Sequence, residues 1–292
     1  MTVRLGVVIL PEHRWKMAAH QWTCSEDLGF DHAWTYDHLS WRELRDAPWF
    51  GAVPTLAAAA LVTTSIRLGV MVASANYRHP VPFSKEIMSL DDLSDGRITL
   101  GLGAGSVGYD ASILGTPPWS RRERTERFVE FVDMLDELLR EPAVSHDGAY
   151  YSALEARNVP GCLQTPRVPF SIAAVGPRGM RLAAEHAASW VTYGDLSGAE
   201  HIGPTAGARI VAEQVRSLET ACEAHGRDPG SIDRIVLTGP QLEPCYDSVE
   251  AFRDMLGRYE AAGATDVVVH WPRDAEPYQA DLSNFLKVVG DR

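Results

Sequence analysis

The chain has 292 residues, 45% of them hydrophobic and 23% charged, with 27 Lys and Arg against 39 Asp and Glu for a formal net charge of −12. That composition belongs to a globular protein and excludes a fibre or a disordered tail. The acidic balance argues against a nucleic-acid face and against adsorption to an anionic membrane, so an anionic ligand must be held by a local cluster of donors.

The four cysteines, Cys24, Cys162, Cys222 and Cys245, are far apart in sequence. They form neither a C-x-x-C pair nor a zinc pattern, so no metal site is expected and the thiols fit a reducing compartment. The opening run Met1–Leu10 goes straight into a strand pattern without the features of a signal peptide. The longest apolar run, Leu56–Val62, is far short of the roughly 20 residues that span a bilayer. A cytoplasmic protein with no membrane partner is expected.

Short β-branched runs alternate with segments of helical period along the whole chain. The first strand is Arg4–Ile9, followed by a helix from about Arg14 to Leu28 with Gly29 at its C-terminal end. The second strand, His32–Tyr36, leads to an Ala-rich helix from about Pro54 to Thr63. The third strand, Arg67–Ala73, leads to a helix that opens at Pro82 and stops at Gly96. The fourth strand is Ile98–Leu102. The next helix carries Phe128, Phe131, Val132, Leu135, Leu138 and Leu139 on one stripe, and Ser120 and Glu123 form a capping box at its start.

A loop-like insertion, Glu141–Arg167, follows. The fifth strand is Phe170–Ala174, with a helix over Arg178–Ala187, and the sixth is Trp190–Tyr193. A polar stretch, Asp195–Gly207, precedes a helix that aligns Val211, Val215, Leu218 and Cys222. The seventh strand, Arg234–Leu237, leads to the helix Ser248–Ala261. The eighth, Asp266–His270, leads to a last helix with Leu282, Phe285 and Val289. Eight strand–helix pairs predict parallel strands with helical crossovers, closed as a (β/α)8 barrel of one domain over residues 1–292. The alternative is an open doubly wound sheet, against which stands the lack of a G-x-G-x-x-G fingerprint at the opening of the chain.

In such a barrel, reactive residues follow the C-terminal ends of the strands. His38 and Glu12, after the second and first strands, are candidate proton carriers, or else a strand-end imidazole and a surface carboxylate. Trp41 either stacks on a ring or caps the barrel mouth. Ser74 and Ala75 end the third strand. Gly103-Ala104-Gly105-Ser106 has almost no side chain, so either a flat ligand approaches the backbone or the chain simply turns tightly. After Ala174, the segment Gly176-Pro177-Arg178-Gly179 opens a helix with backbone donors and an arginine together, which suits a phosphate; an ordinary helix entry is the plain alternative. Arg121, Arg122, Arg124 and Arg127 crowd one helix start, either for an anionic partner or as a solvated face paired with Glu123 and Glu126. His79 and His270 are assigned structural roles.

Several segments together resemble the luciferase-like flavin-dependent oxidoreductase family. They are Glu26–Asp31 before the second strand, Leu93-Ser94-Asp95-Gly96-Arg97 leading into Leu100–Gly105, Gly176-Pro177 ahead of Arg181–Glu185, and Ala262–Asp266. The resemblance implies a (β/α)8 barrel with an insertion and a flavin-type ring in the barrel mouth, either reduced FMN for oxygenation or the deazaflavin coenzyme F420 for hydride transfer. Asp37-His38, with Trp41 and Glu12, is similar to the F420 branch. The chain departs from that branch's sugar-phosphate dehydrogenases, which carry a glutamate where it has Gly105-Ser106. The resemblance also implies a non-prolyl cis peptide at the end of the third strand, for which Ser74-Ala75 is the candidate.

The expected function is therefore an F420-dependent oxidoreductase acting on a C=N, C=C or C=O bond of a small organic substrate, in a homodimer. An FMN-dependent monooxygenase is the alternative, and a non-catalytic flavin-binding barrel is the reading from another class.

Overall fold

A computed structural model describes residues 3–195 and 201–291. The expected polar stretch Asp195–Gly207 therefore lies in part, at 196–200, outside the described residues. Eight parallel strands close into a barrel in the order β1-β10-β9-β8-β7-β4-β3-β2. They are β1 (Arg4–Val8), β2 (His32–Thr35), β3 (Arg67–Ser74), β4 (Ile98–Gly103), β7 (Phe170–Ala173), β8 (Ser189–Thr192), β9 (Asp233–Leu237) and β10 (Asp266–His270). Between them run α1 (Trp15–Asp27), α2 (Ala52–Val62), α3 (Pro80–Leu93), α4 (Arg121–Arg140), α5 (Pro177–His186), α6 (Pro204–Ala224), α7 (Val249–Ala261) and α8 (Leu282–Gly290). The expected (β/α)8 barrel is the observed fold. Among the described residues no helix is long and apolar enough to cross a membrane.

Contacts divide the chain into two compact units. One comprises the described residues of Met1–Ile9, Gln21–Trp34 and Ala174–Arg292, the other Leu10–His20 and Thr35–Ala173.

In the first unit, the N-terminal ends of four neighbouring strands meet on one carboxylate. Asp266 of β10 is buried and accepts from Arg4 of β1 at 2.8 and 2.7 Å, and it lies 3.1 Å from Nε2 of His32 in β2. Arg4 also reaches Asp233 of β9 at 2.7 Å. The indole N–H of Trp34 donates to His32 Nδ1 at 2.6 Å, so the imidazole carries its proton on Nε2 and donates to Asp266. Gly6 is obligatory beneath this ring, because a Cβ there would fall 2.1 Å from the imidazole. Burial opposes ionisation of Asp266, but the hydrogen bonds from His32 and Arg4 outweigh it and hold the carboxyl below its usual range.

In the second unit, the sequence Asp95-Gly96-Arg97 has a structural reason. Asp95 and Gly96 both take the left-handed conformation, at φ 54° and 73°, and turn the chain from α3 into β4. Arg97 then donates to the carbonyls of Ala60, Thr63, Ile66 and Ser94, tying the end of α2 to the entry of β3. Helix α4 buries the expected stripe, with Met134 added, and its Ser120–Glu123 capping box is formed in both directions. Helix α3 starts at Pro80, two residues before the expected Pro82, because the His79 ring accepts from Val81 N–H and makes Pro80 the first helical residue. The structural reading of His79 thus holds.

Two expectations are corrected. The insertion is not loop-like throughout, since β5 (Ala143–Asp147) and β6 (Ser152–Arg157) pair as an antiparallel hairpin. Only Val144 of these two strands is buried, so no apolar alternation announces them. The hairpin is held from its turn, where the Glu130 carboxylate on α4 accepts the N–H groups of Ala149, Tyr150 and Tyr151. The non-prolyl cis peptide lies at Met71–Val72, not at Ser74–Ala75. There the β3–β4 register shifts between Val70 and Ala73, opposite two glycines. A Cβ on Gly101 would sit 2.1 Å from the Val70 carbonyl oxygen, and one on Gly103 would sit 2.4 Å from Val72 Cγ2.

Two stability predictions follow from these contacts. Gly101→Ala should cost about 3 kcal/mol, since a backbone atom has to move to admit the methyl group, and a lowered urea midpoint at pH 7 would show it. The Asp266 pKa is depressed on folding, so its contribution is present above its unfolded value near 4 and is lost as pH falls through the lower folded value. Asp266→Asn should therefore cost about 2 kcal/mol at pH 7 by removing the buried charge that accepts from Arg4 and His32, Arg4 keeping Asp233 as a partner. It should also flatten the acid limb of a stability–pH curve.

Candidate active site

The segment after β2 is built around charges fixed at both ends. Asp37 is buried and takes two hydrogen bonds from Arg78, at 2.6 and 2.8 Å. Arg78 also pairs with Glu86 at 2.9 Å and lies 4.2 Å over the Phe83 ring. Burial opposes the Arg78 charge, yet the Asp37 hydrogen bond and charge raise its pKa further above the ordinary arginine value. Burial, then the charge of Asp37, pushes the neighbouring Tyr77 phenol up as well. Asp37 is thus an anchor for the loop that presents His38.

His38 is half-buried, and its Nδ1 lies 2.5 Å from Oδ2 of Asp110. The other carboxylate oxygen of Asp110 accepts from the N–H groups of Leu39 and Ser40, at 2.8 and 3.0 Å. With the Nδ1 proton held by a carboxylate, Nε2 is the position left for chemistry. It has no hydrogen-bond partner among the described residues. Around the imidazole stand Tyr36, Trp41 and Trp49, with ring centroids 6.1, 6.0 and 6.1 Å away. Trp41 and Trp49 stack at 5.5 Å, and the buried Nε1 of Trp49 has no hydrogen-bond partner among the described residues. Trp41 is itself buried, so it forms part of this aromatic wall.

Sequence reasoning missed Asp110 and Trp49. Asp110 lies 72 residues from His38, in a segment with no periodicity, and no local pattern connects them. Trp49 sits in a turn-rich loop where its ring contacts with Trp41 and His38 mark it.

The other residues of this unit form a shelf of backbone. Ser74 and Ala75 are buried, Ser74 Oγ accepts from Asn76 N–H at 3.2 Å, and Asn76 donates to the Ser106 carbonyl at 3.0 Å. Gly105 has φ 74°, and a Cβ on it would meet Asn76 at 2.4 Å, so its glycine serves that contact. Gly103 likewise makes room for Val72, and Ala104 is half-buried beside it. The tight-turn reading of this segment therefore has a structural cause. Glu12 is half-buried in the turn after β1, its N–H on the Leu10 carbonyl.

Of the arginines at the head of α4, Arg122 alone fits the solvated-face reading, since Glu123 is engaged in the capping box and Arg124 and Arg127 are half-buried. Arg122 pairs with Glu126, Arg124 donates to the Trp119 carbonyl, and Arg127 donates to the Asn76 carbonyl while lying over the Trp119 and Tyr151 rings.

In the first unit, the Ala174 carbonyl accepts from the Trp190 indole at 2.6 Å. Gly176 caps α5 without a side chain, Pro177 is its first residue, and Arg178 is exposed. Gly179 admits the close packing of the first turn, since a Cβ would fall 2.5 Å from that of Ala174. The first turn of α5 has no side-chain cap, and Arg178 follows Pro177 within it. His270 is buried against Tyr278 at 3.6 Å between ring centroids, and burial pushes its pKa down to about 3, so it is a neutral core imidazole as expected.

The class defined so far is a parallel (β/α)8 barrel with a carboxylate-anchored histidine beside an aromatic wall. Residues 3–277 match the family described as luciferase-like monooxygenase, and the chain belongs to it. It is 31% identical over 216 residues, 72% of this chain and 53% of the relative, to 4-hydroxyprotoasukamycin monooxygenase of Streptomyces nodosus subsp. asukaensis. It is 37% identical over 167 residues, 54% of this chain and 47% of the relative, to F420-dependent glucose-6-phosphate dehydrogenase of Beutenbergia cavernae. The chain thus spans about half the length of these two relatives. An F420-dependent secondary alcohol dehydrogenase in complex with an F420-acetone adduct shares the fold, with a TM-score of 0.82 at 17% identity, covering 100% of this chain and 98% of that one.

Removing the anchor tests the geometry directly. Asp110→Ala deletes hydrogen bonds to a charged group worth about 1.5–3 kcal/mol each. The Leu39 and Ser40 amides should then exchange with solvent at least tenfold faster. Nitrogen chemical shifts of His38 should move from a single Nδ1–H tautomer to a mixture.

Proposed function

We propose that this chain is a coenzyme F420-dependent oxidoreductase that moves a hydride between the deazaflavin ring and a C=O, C=N or C=C bond of a small organic substrate. The observation that carries this reading is the His38–Asp110 pair, an imidazole with one nitrogen fixed and the other open. The residues fit the cofactor. The unpartnered Trp49 Nε1 and the His38 Nε2 offer two polar atoms within one aromatic wall, and Ala75, Gly103 and Ala104 offer no bulk against a flat ring. Taken by itself, the Gly176–Gly179 helix entry of the first unit suits a phosphate.

When bound, the deazaflavin supplies the hydride-carrying carbon. The chain supplies position and protons. His38 Nε2 accepts the hydroxyl proton of an alcohol as it is oxidised, or returns a proton to the product of a reduction. Asp110 steadies the imidazole in both states. Trp41 and Trp49 exclude water from one side of the histidine, which strengthens its hydrogen bonds to substrate. Ser74, Ala75 and Ser106 belong to the cofactor shelf, and Glu12 is the alternative proton carrier to His38.

The FMN-dependent monooxygenase reading is favoured by one observation, the 31% identity to a monooxygenase across 72% of the chain. Titration of the purified protein with each cofactor, read by fluorescence quenching, separates the two. Coenzyme F420 should bind more tightly than FMN, and tight FMN binding with no F420 binding would overturn the proposal. Single-turnover oxidation of bound reduced cofactor tests the non-catalytic carrier reading.

His38→Ala should lower turnover by about two to four orders of magnitude, the usual range for acid–base catalysis, with a much smaller change in cofactor affinity. A parallel fall in both would make His38 a ring-orienting residue instead, and Glu12→Gln would then test the second carrier.

A further inference from the structure

The turn of the insertion hairpin reaches back to the segment that ends β3. Glu130 on α4 accepts the N–H of Tyr151 at 2.7 Å, which fixes where that side chain starts. The Tyr151 ring then stands edge-on to Phe131 of α4 and to His79 at the head of α3, with centroids 5.7 and 5.3 Å away. The residue is buried, and its hydroxyl donates to the Ala75 carbonyl at 3.3 Å. Burial pushes the phenol up to about 12, against the opposing charge of Arg127, so it keeps its proton and remains a donor near neutral pH. The hairpin strands have almost no core of their own, since Val144 alone in them is buried. Tyr151 is therefore buried against the barrel and not for the sake of the hairpin.

The next carbonyl along, that of Asn76, is taken by Arg127 of α4 at 3.0 Å, and the guanidinium lies 5.3 Å over the Tyr151 ring. Two successive carbonyls are thus gripped by one stacked pair of side chains. The remaining polar groups of Asn76 bind within the shelf, its N–H to Ser74 Oγ at 3.2 Å and its side-chain amide to the Ser106 carbonyl at 3.0 Å. Gly105 closes on this corner so tightly that a Cβ there would fall 2.4 Å from the Asn76 side chain and 2.7 Å from Ser74 Oγ. A segment satisfied from both sides in this way has little freedom to turn its peptides.

We infer that Tyr151 and Arg127 are positioning residues for the cofactor site, through which the insertion sets the Ala75 and Asn76 peptides of the shelf before a cofactor arrives. The inference rests on the reading of that segment as the cofactor shelf. Preorganisation of this kind is read in binding, because a loosened shelf has to be ordered again by the ligand.

Tyr151→Phe removes one hydroxyl and keeps the ring. Its control is Tyr150→Phe, the same change in the same turn, where the lost hydroxyl binds Glu126 at 3.1 Å and not the shelf. In the cofactor-free protein, Tyr151→Phe should speed deuterium exchange of the Asn76 amide by about fivefold or more, since a buried carbonyl loses its donor. Arg127→Gln should act on the same amide. F420 affinity, read by fluorescence quenching, should fall roughly three- to tenfold in both variants, while turnover at saturating cofactor changes by less than about twofold. Tyr150→Phe should keep wild-type exchange and affinity. Unchanged Asn76 exchange in Tyr151→Phe, faster exchange with no loss of affinity, or equal losses in the two tyrosine variants would each overturn the inference. FMN is titrated in parallel. A wild type that binds FMN and not F420 sinks the F420 reading alone, and the same comparison of variants, made with FMN, then decides the inference. A wild type that binds neither overturns both.

Discussion

A barrel of parallel strands must bring its first strand back beside its last, and here that return is sealed by one buried carboxylate. Asp266 on β10 is shared by Arg4 on β1 and His32 on β2, and Arg4 reaches on to β9. Closure leaves no open strand edge, but it forces side chains of four strands into one small volume. A charge in such a place is tolerable only when every lone pair has a donor. The Trp34 indole completes the set by fixing the His32 tautomer.

In the second unit, the same economy recurs in a different form. Asp37 with Arg78, and Asp110 with His38, are carboxylates that immobilise a loop by gripping it at several points. Loops positioned by a rigid scaffold are the usual seat of chemistry. An imidazole whose orientation is set before any ligand arrives needs little reorganisation when a proton moves.

The repeating frame was legible because helices and strands announce themselves by period. The α4 stripe and its capping box, the Gly29 and Gly96 stops, and all eight barrel strands could be read from spacing alone. What escaped was whatever depended on a partner distant in sequence. Asp110 is one acidic residue among 39 Asp and Glu until the fold brings it to His38. Gly103 fits either an approach for a ligand or a tight turn by sequence, yet it answers first to Val72 of β3, as Gly101 does to the Val70 carbonyl. The Asp95-Gly96-Arg97 signature carried family information without revealing its reason, which is a guanidinium shared among carbonyls rather than anything at the reactive rim.

The hairpin of β5 and β6 shows how such a frame accommodates novelty. Its turn is gripped through three backbone N–H groups by Glu130, while Gly148 gives the carboxylate room to approach. Backbone donors are common to every residue but proline. Position 149 can therefore drift in side-chain identity while the dock stays fixed, whereas Tyr151 is buried with its hydroxyl on the Ala75 carbonyl and is held by its side chain as well. An insertion held in this way looks hypervariable when relatives are aligned by letters and constant when they are superposed in space. Lineages are then free to rewrite the decoration without renegotiating its attachment.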